Sequence, residues 1–148
     1  MNKNVINELV SLLGKENVLT DKEDKINYSY DATADMPSRE PDVIVTPSKK
    51  EEIVSLVKLA SKHKIPIVTR GSGTNLSGGT IPVDGGIVLS MLKLDKILEV
   101  DPANLTATVE PGLVIQRLNE AVAEHGLIYP PDPGTVTTAT MGGSVSEC

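Results

Sequence analysis

The residues best suited to chemistry lie in one glycine-rich stretch, TRGSGTNLSGGT, at residues 69–80. This stretch, the glycine loop, contains Gly71, Gly73, Gly78 and Gly79, and most of its other side chains carry hydroxyl or amide groups. Glycine tolerates positive φ angles and lets the backbone approach a ligand closely. Successive backbone N–H groups in such a loop bind anions. The glycine loop therefore predicts a phosphate-binding site.

Two common phosphate-binding motifs do not fit the glycine loop. In the dinucleotide fingerprint G-x-G-x-x-G, Gly71 and Gly73 match, but Leu76 occupies the third glycine position. In the P-loop motif G-x-x-x-x-G-K-[ST], Gly79 replaces the lysine that contacts the phosphates. Both motifs also need a helix directly after the loop, which the sequence IPVDGG at residues 81–86 does not favour.

The interpretation that fits is a nest of N–H groups around a pyrophosphate, with no helix directly behind it. The hydroxyl and amide side chains of the glycine loop add further donors. Arg70, where the preceding strand ends, supplies positive charge in this interpretation, although a surface ion pair is the alternative role for it. The predicted pyrophosphate site comprises Arg70, Gly71, Ser72, Gly73, Thr74, Asn75, Gly78 and Gly79.

A strand–helix–strand unit precedes the glycine loop and positions it. Residues 43–45 are a short apolar run, and Ser48 with Glu51 forms a capping-box pattern that predicts the start of a helix. Apolar residues at helical spacing follow, and residues 65–69 have the composition of a second strand. We expect two parallel strands joined by a helical crossover, with the glycine loop beginning where the second strand ends.

The elements after the glycine loop follow a different order. Residues 87–89 predict a buried strand, and residues 96–112 predict a hairpin that turns at residues 101–104. Apolar residues from Val114 to Val122 then recur at helical spacing. This order predicts an α+β fold rather than a regular doubly wound sheet.

Three motifs in this order resemble one family. They are residues 41–79, the VEPG at residues 109–112 and the segment YPPDPGTVTTATMGGSVSE at residues 129–147. Together they resemble the N-terminal half of FAD-linked oxidases of the vanillyl-alcohol oxidase type, which carry a PCMH-type FAD-binding domain. Within that family the resemblance is to the branch of the glycolate oxidase large subunit and D-lactate dehydrogenase. Asp31 in YSYDAT matches a Tyr/Asp segment of these relatives more weakly.

The resemblance implies a domain organisation. Residues 1–40 are expected to form an N-terminal helical segment, and residues 41–148 an FAD-binding domain truncated at its C-terminal side. That domain is expected to hold an N-terminal βαβ subdomain and part of a second, β-rich subdomain. The chain is therefore expected to be a fragment of a longer protein.

The resemblance also implies a second site segment and a noncovalent cofactor. In the family the glycine loop wraps the FAD pyrophosphate, and a later segment lies along the rest of FAD. Some relatives tether FAD through a histidine in the loop, where this chain has Thr74. The positions that match the later segment are Pro131, Thr138, Gly142, Gly143 and Ser144.

The implied reaction is oxidation of a small 2-hydroxy acid of the glycolate or D-lactate type, with hydride transfer to the flavin. Electrons would then pass to an acceptor or a partner subunit. The residues present offer no catalytic base, no substrate-binding cation and no metal-ligand spacing. In relatives these belong to the C-terminal part, so we expect this chain alone to be inactive. The alternative is a stand-alone nucleotide-binding or interaction module without catalysis.

The composition disfavours nucleic-acid-binding, disulfide-bonded and membrane-spanning proteins. A net charge of −6 disfavours a nucleic-acid partner, which requires a basic face. The single cysteine, Cys148, excludes an internal disulfide and is typical of a reducing compartment, so we expect a cytoplasmic protein. No apolar run approaches the roughly 20 residues of a membrane span.

Overall fold

The computed structural model describes residues 1–147. Cys148 lies outside the described residues, as does the prediction of a reducing compartment that was made from this single cysteine. The helices are α1 (Lys3–Leu13), α2 (Lys22–Asn27), α3 (Lys50–His63), α4 (Ile115–Ala123) and α5 (Met141–Glu147), with a 3₁₀ turn at Lys15–Asn17. The strands are β1 (Val18–Leu19), β2 (Val43–Val45), β3 (Ile67–Arg70), β4 (Ile87–Ser90), β5 (Ile97–Asp101) and β6 (Thr106–Val109).

The main sheet has four strands in the order β1-β2-β4-β3. Strands β2, β4 and β3 are parallel, and β1 adds an antiparallel edge. The predicted strand–helix–strand unit is present as β2-α3-β3, but β4 lies between its two strands. Residues Ile87–Ser90 of β4 are all buried, which suits a central parallel strand.

Helices α1 and α3 pack on this sheet and bury the first hydrophobic core. Leu56 of α3 and Leu9 of α1 are fully buried in this core, together with Val43 and Ile87 of the central strands. The long apolar stripe of α3 therefore faces the sheet, as its spacing predicted.

The start of α3 differs from the sequence prediction. The predicted capping box of Ser48 and Glu51 is wrong. Instead, the Glu52 carboxylate accepts hydrogen bonds from the backbone N–H groups of Ser48 at 2.8 Å and Lys49 at 3.1 Å. The helix begins at Lys50, and its first-turn N–H groups favour a nearby carboxylate.

A second core lies between the hairpin and the later helices. Strands β5 and β6 pair antiparallel, and the Asp101 side chain shapes their turn by accepting from the N–H groups of Ala103 and Asn104. The buried residues of this second core are Leu113 just before α4, Ile115, Leu118 and Val122 of α4, and Ala139 and Met141 of the last segment. In residues 1–147 this second part therefore holds one hairpin and two helices.

The predicted N-terminal helical segment, residues 1–40, shares the first core. Val5, Leu9 and Leu13 of α1 are buried against the main sheet, and β1 pairs with β2. The domain boundary at residue 40 stays a prediction from the sequence, but the hydrophobic core continues across it. None of the helices within residues 1–147 has both the length and the apolar character that crossing a bilayer requires.

Two neighbouring residues of α3 test this packing. Leu56 is 0% exposed and Val57 is 48% exposed. We expect Leu56→Ala to lower the free energy of unfolding by about 2–5 kcal/mol, because it leaves a cavity beneath the helix. The control Val57→Ala should change it by less than about 0.5 kcal/mol. Urea denaturation followed by circular dichroism measures both, and equal losses would contradict the assigned orientation of α3.

Candidate functional site

The glycine loop and the segment from Pro131 to Glu147 form two walls of one cavity of about 910 Å³. This volume is typical of a site for a large organic ligand. The cavity is also lined by strand residues Ile67 to Thr69, together with Met91, Pro111 and Ile115. Two segments about sixty residues apart in the sequence thus share one site.

Parallel strands explain how the two walls meet. Strands β3 and β4 are in register, with Arg70 opposite Ser90, so they end at the same edge of the sheet. There the backbone N–H of Met91 donates to the carbonyl of Arg70 at 2.9 Å. Gly112 packs against the backbone of residues 91–94 and donates to the carbonyl of Leu94 at 2.7 Å. The chain after β4 is therefore held beside the base of the glycine loop.

Two further glycines complete the contact between the walls. The N–H of Gly142 donates to the carbonyl of Pro111 at 2.8 Å, and a Cβ at Gly142 would lie 2.9 Å from the Pro111 ring. A Cβ at Gly71 would overlap the hydroxyl of Thr140, which is itself 3% exposed. Glycine is thus required for close packing at these positions, in addition to any approach to a ligand.

Most of the predicted site residues lie on the cavity wall, and three do not. Arg70, Gly78 and Thr138 are outside the lining; Thr138 is exposed and bonds the carbonyl of Thr135. The predicted residues on the wall are Gly71, Ser72, Gly73, Thr74, Asn75, Gly79, Pro131, Gly142, Gly143 and Ser144. Their contact with a cofactor stays a prediction.

Arg70 is buried beneath the glycine loop and is 7% exposed, so it is not a surface ion-pair residue. Its guanidinium donates to the Tyr30 carbonyl at 2.6 Å and to the Thr80 hydroxyl at 3.3 Å, and it lies 5.4 Å from the centre of the Tyr28 ring. Burial lowers the pKa of Arg70, partly offset by Tyr28, Asp31 and Tyr30. Its predicted contact with an anion stays a prediction, because the structure shows it bonded to the protein.

Asp31 lies under the other end of the glycine loop. Its carboxylate accepts from the Asn75 amide at 2.7 Å, the Thr80 hydroxyl at 3.1 Å and the Thr33 backbone N–H at 2.9 Å. Burial raises the pKa of Asp31, but the hydrogen bonds from Thr33, Asn75 and Thr80 together outweigh it and lower the pKa below 3.8. The carboxylate is therefore ionised in the neutral range.

A second carboxylate touches the glycine loop from α5. The Ser77 hydroxyl lies 3.1 Å and 2.9 Å from the two carboxylate oxygens of Glu147. Glu147 also lines the cavity. This contact joins α5 to the glycine loop.

Sequence reasoning missed several residues of this site. It did not predict α5, which begins at Met141 and includes Gly142 and Gly143 in its first turn. Two glycines at a helix start disfavour a helix on propensity alone. Asp31 was linked only to a Tyr/Asp segment of the relatives; its spacing to Thr33 also indicates its role, since an Asp side chain commonly accepts from the backbone two residues later. Further lining residues that were not predicted include Thr69, Thr80, Ser146 and Glu147.

The comparisons with known proteins fit this geometry. Residues 41–148 match the sequence profile of a family described as FAD binding domain. The match covers most of the chain and includes both walls of the cavity. The chain belongs to this FAD-binding family.

Its relatives are FAD-linked oxidoreductases. The chain is 43% identical over 145 residues to the glycolate oxidase subunit GlcD of Bacillus subtilis, covering 98% of the chain and 31% of that protein. It is 41% identical over 122 residues to a D-lactate dehydrogenase of Archaeoglobus fulgidus, covering 80% of the chain and 27% of that protein. The chain thus spans about a third or less of the length of these relatives.

Solved structures confirm the PCMH-type fold and its α+β class. An alkyldihydroxyacetonephosphate synthase structure matches with a TM-score of 0.89 and 25% identity, covering 100% of this chain and 32% of that one. A p-cresol methylhydroxylase structure matches with a TM-score of 0.74 and 30% identity, covering 84% of this chain and 25% of that one. The predicted resemblance to flavoproteins of the vanillyl-alcohol oxidase type is confirmed.

The residues of the cavity fit FAD. Gly71, Gly73 and Gly79 leave backbone without side chains along one wall, which allows a pyrophosphate to approach closely. Hydroxyl and amide groups surround them on Ser72, Thr74 and Asn75. The other wall adds small or apolar residues such as Pro131, Ala139 and Gly142, together with the acidic Asp132 and Glu147.

Two adjacent glycines of α5 test the packing between the walls. Gly142→Ala places a Cβ against Pro111, whereas a Cβ at Gly143 meets only the Thr140 hydroxyl at 3.4 Å. We expect Gly142→Ala to lower the free energy of unfolding by about 1–3 kcal/mol. Gly143→Ala should leave it unchanged or raise it by about 0.5–1 kcal/mol, because alanine favours a helix. Denaturant unfolding of both variants decides this, and equal effects would contradict it.

The Asp31 carboxylate gives the folded chain a pH-dependent contribution. Because folding lowers the pKa of Asp31 below 3.8, this stability is present above the unfolded pKa and is lost as the pH falls through the folded one. The difference in unfolding free energy between the wild type and Asp31→Asn should be constant above about pH 5 and shrink below about pH 4.

Urea titrations at about six pH values between roughly pH 2 and pH 6 measure this difference. Asp84→Asn, at an exposed aspartate outside the network, controls for removing a surface carboxylate. If the wild type stayed more stable than Asp31→Asn by the same unfolding free energy at the lowest pH values, this result would rule out an ionised, hydrogen-bonded Asp31.

Proposed function

We propose that the chain is the FAD-binding portion of a flavoprotein oxidoreductase that oxidises a small 2-hydroxy acid of the glycolate or D-lactate type. The observation that carries this proposal is the cavity itself, which is lined by both the glycine loop and the segment from Pro131 to Glu147. The likeness to glycolate oxidase subunits and D-lactate dehydrogenases supports the choice of substrate class.

The two walls would hold different parts of FAD. The glycine loop would bind the pyrophosphate through its backbone N–H groups and the hydroxyls of Ser72 and Thr74. Residues Pro131 and Gly142 to Ser144 would lie along the rest of the cofactor. FAD binding is noncovalent in this proposal, because Thr74 stands where a tethering histidine occurs in some relatives, and neither His63 nor His125 lines the cavity.

When bound, FAD would supply the hydride acceptor for oxidation at the α-carbon of the hydroxy acid. The carboxylate of such a substrate needs a cation, and its hydroxyl needs a base. Among the described lining residues the charged side chains are Asp132 and Glu147, both acidic. The described lining therefore offers no cation to a substrate carboxylate, and the substrate-binding cation belongs elsewhere in the proposed enzyme.

The proposed enzyme transfers its electrons to an acceptor or to a partner subunit and acts in the cytoplasm. The name glycolate oxidase subunit, carried by the relative in Bacillus subtilis, supports a multi-subunit assembly. A stand-alone nucleotide-binding or interaction module is less well supported, because both relatives named above are oxidoreductases.

A charge placed on the cavity wall tests the cofactor proposal. Thr74→Asp puts a carboxylate beside the proposed pyrophosphate, and we expect it to weaken FAD binding by about tenfold or more through charge repulsion. Titration of the chain with FAD, followed by flavin fluorescence, measures the dissociation constant. Added salt should reduce the difference between wild type and variant.

The matched control is Thr137→Asp, which introduces the same charge at an exposed position outside the lining. It should bind FAD within about twofold of the wild type. Failure of the wild-type chain to bind FAD, or equal weakening by both substitutions, would count against the proposed site.

A further inference from the structure

We propose that Asp31 is a positioning residue for FAD binding, which acts through Asn75 and Thr80 to hold the glycine loop in its binding shape. This inference rests on the proposed function. Asp31 is 8% exposed and is not part of the cavity lining, so its carboxylate does not face the cofactor. It precedes residue 41, where the family profile begins.

The geometry assigns both oxygens of Asp31 to the protein. Oδ1 accepts from the Thr33 backbone N–H at 2.9 Å, which fixes the carboxylate in a tight local turn. Oδ2 accepts from the Asn75 amide at 2.7 Å and the Thr80 hydroxyl at 3.1 Å. One carboxylate oxygen therefore joins the middle of the glycine loop to its end.

Neighbouring residues of the same segment hold the rest of the loop. The Thr33 hydroxyl accepts from the backbone N–H of Gly78 at 2.7 Å, and the Tyr30 carbonyl accepts from Arg70 at 2.6 Å. The segment from Tyr30 to Thr33 thus contacts the beginning, the later part and the end of the glycine loop. Residues far apart in the loop are tied to four consecutive residues.

The electrostatic arrangement favours this role. A carboxylate directly on a pyrophosphate site would repel the ligand, but Asp31 lies behind Asn75 and Thr80, which are on the wall. Arg70 donates to the same Thr80 hydroxyl, so a buried cation offsets the buried anion. Asp31 can therefore orient the loop donors before the ligand arrives, which lowers the ordering cost of binding.

A double-mutant cycle tests whether Asp31 acts through Asn75. The variants are Asp31→Ala, Asn75→Ala and the double variant, and the measurement is FAD affinity from flavin fluorescence. We expect each single substitution to weaken FAD binding by about five- to fiftyfold. The FAD affinity of the double variant should be within about threefold of that of the single variant that binds FAD less tightly. Asp84→Ala, at an exposed aspartate, should bind like the wild type.

Hydrogen exchange of the ligand-free chain provides a second readout. Asp31→Ala should speed exchange of the Gly78 amide, while the β4 amides keep their protection. Faster exchange throughout β4 would show a general folding role and overturn the proposal. Additive losses of FAD affinity, or wild-type affinity in Asp31→Ala, would also overturn it.

Asp31→Asn gives a milder test that preserves side-chain size and one acceptor oxygen for Thr33. Its new amide group faces the Asn75 amide, so the FAD affinity and the protection of the Gly78 amide from exchange should both lie between those of the wild type and Asp31→Ala. Wild-type values for both quantities would show that no carboxylate is needed at this position. If the wild-type chain does not bind FAD, FAD binding by this chain alone fails, and Gly78 exchange alone decides whether Asp31 positions the loop.

Discussion

The site depends on close backbone packing at three glycines. At Gly71, Gly112 and Gly142 a Cβ would meet Thr140, the backbone around Met91 and Pro111, respectively. These contacts bring the end of the main sheet, the turn before α4 and the start of α5 within hydrogen-bond distance of one another. The cavity exists because these segments can approach so closely, and larger side chains at these points would force its walls apart.

A second constraint is the buried polar network beneath the glycine loop. A loop with four glycines loses much conformational entropy when it becomes ordered, so it needs contacts that specify one shape. Asp31 and Arg70 supply these contacts as a buried anion and cation that share the Thr80 hydroxyl. Burying both charges is tolerated because each is hydrogen-bonded. The N-terminal segment is therefore part of the structure of the proposed cofactor site as well as of the hydrophobic core.

This arrangement separates two tasks within the proposed enzyme. The wall described by residues 1–147 offers backbone N–H groups, hydroxyls and small residues, which suit a large neutral-to-anionic cofactor. It offers no lysine, arginine or histidine side chain to a substrate carboxylate among those described residues. Cofactor binding and substrate recognition would accordingly be carried by different parts of the protein.

The sequence by itself determined the local elements and predicted the type of site. Helical spacing identified α3 and α4, apolar runs identified the strands, and the glycine loop predicted a pyrophosphate nest, because these signals depend on residues close together in the chain. Only the tertiary structure decided that β4 lies between β2 and β3, that Arg70 is buried, and that Asp31 bonds Asn75. Each of these depends on contacts between distant residues, for which local periodicity carries no signal. Helix α5 was likewise decided by the tertiary structure, because the packing of Gly142 on Pro111 outweighs the poor helix propensity of its glycines.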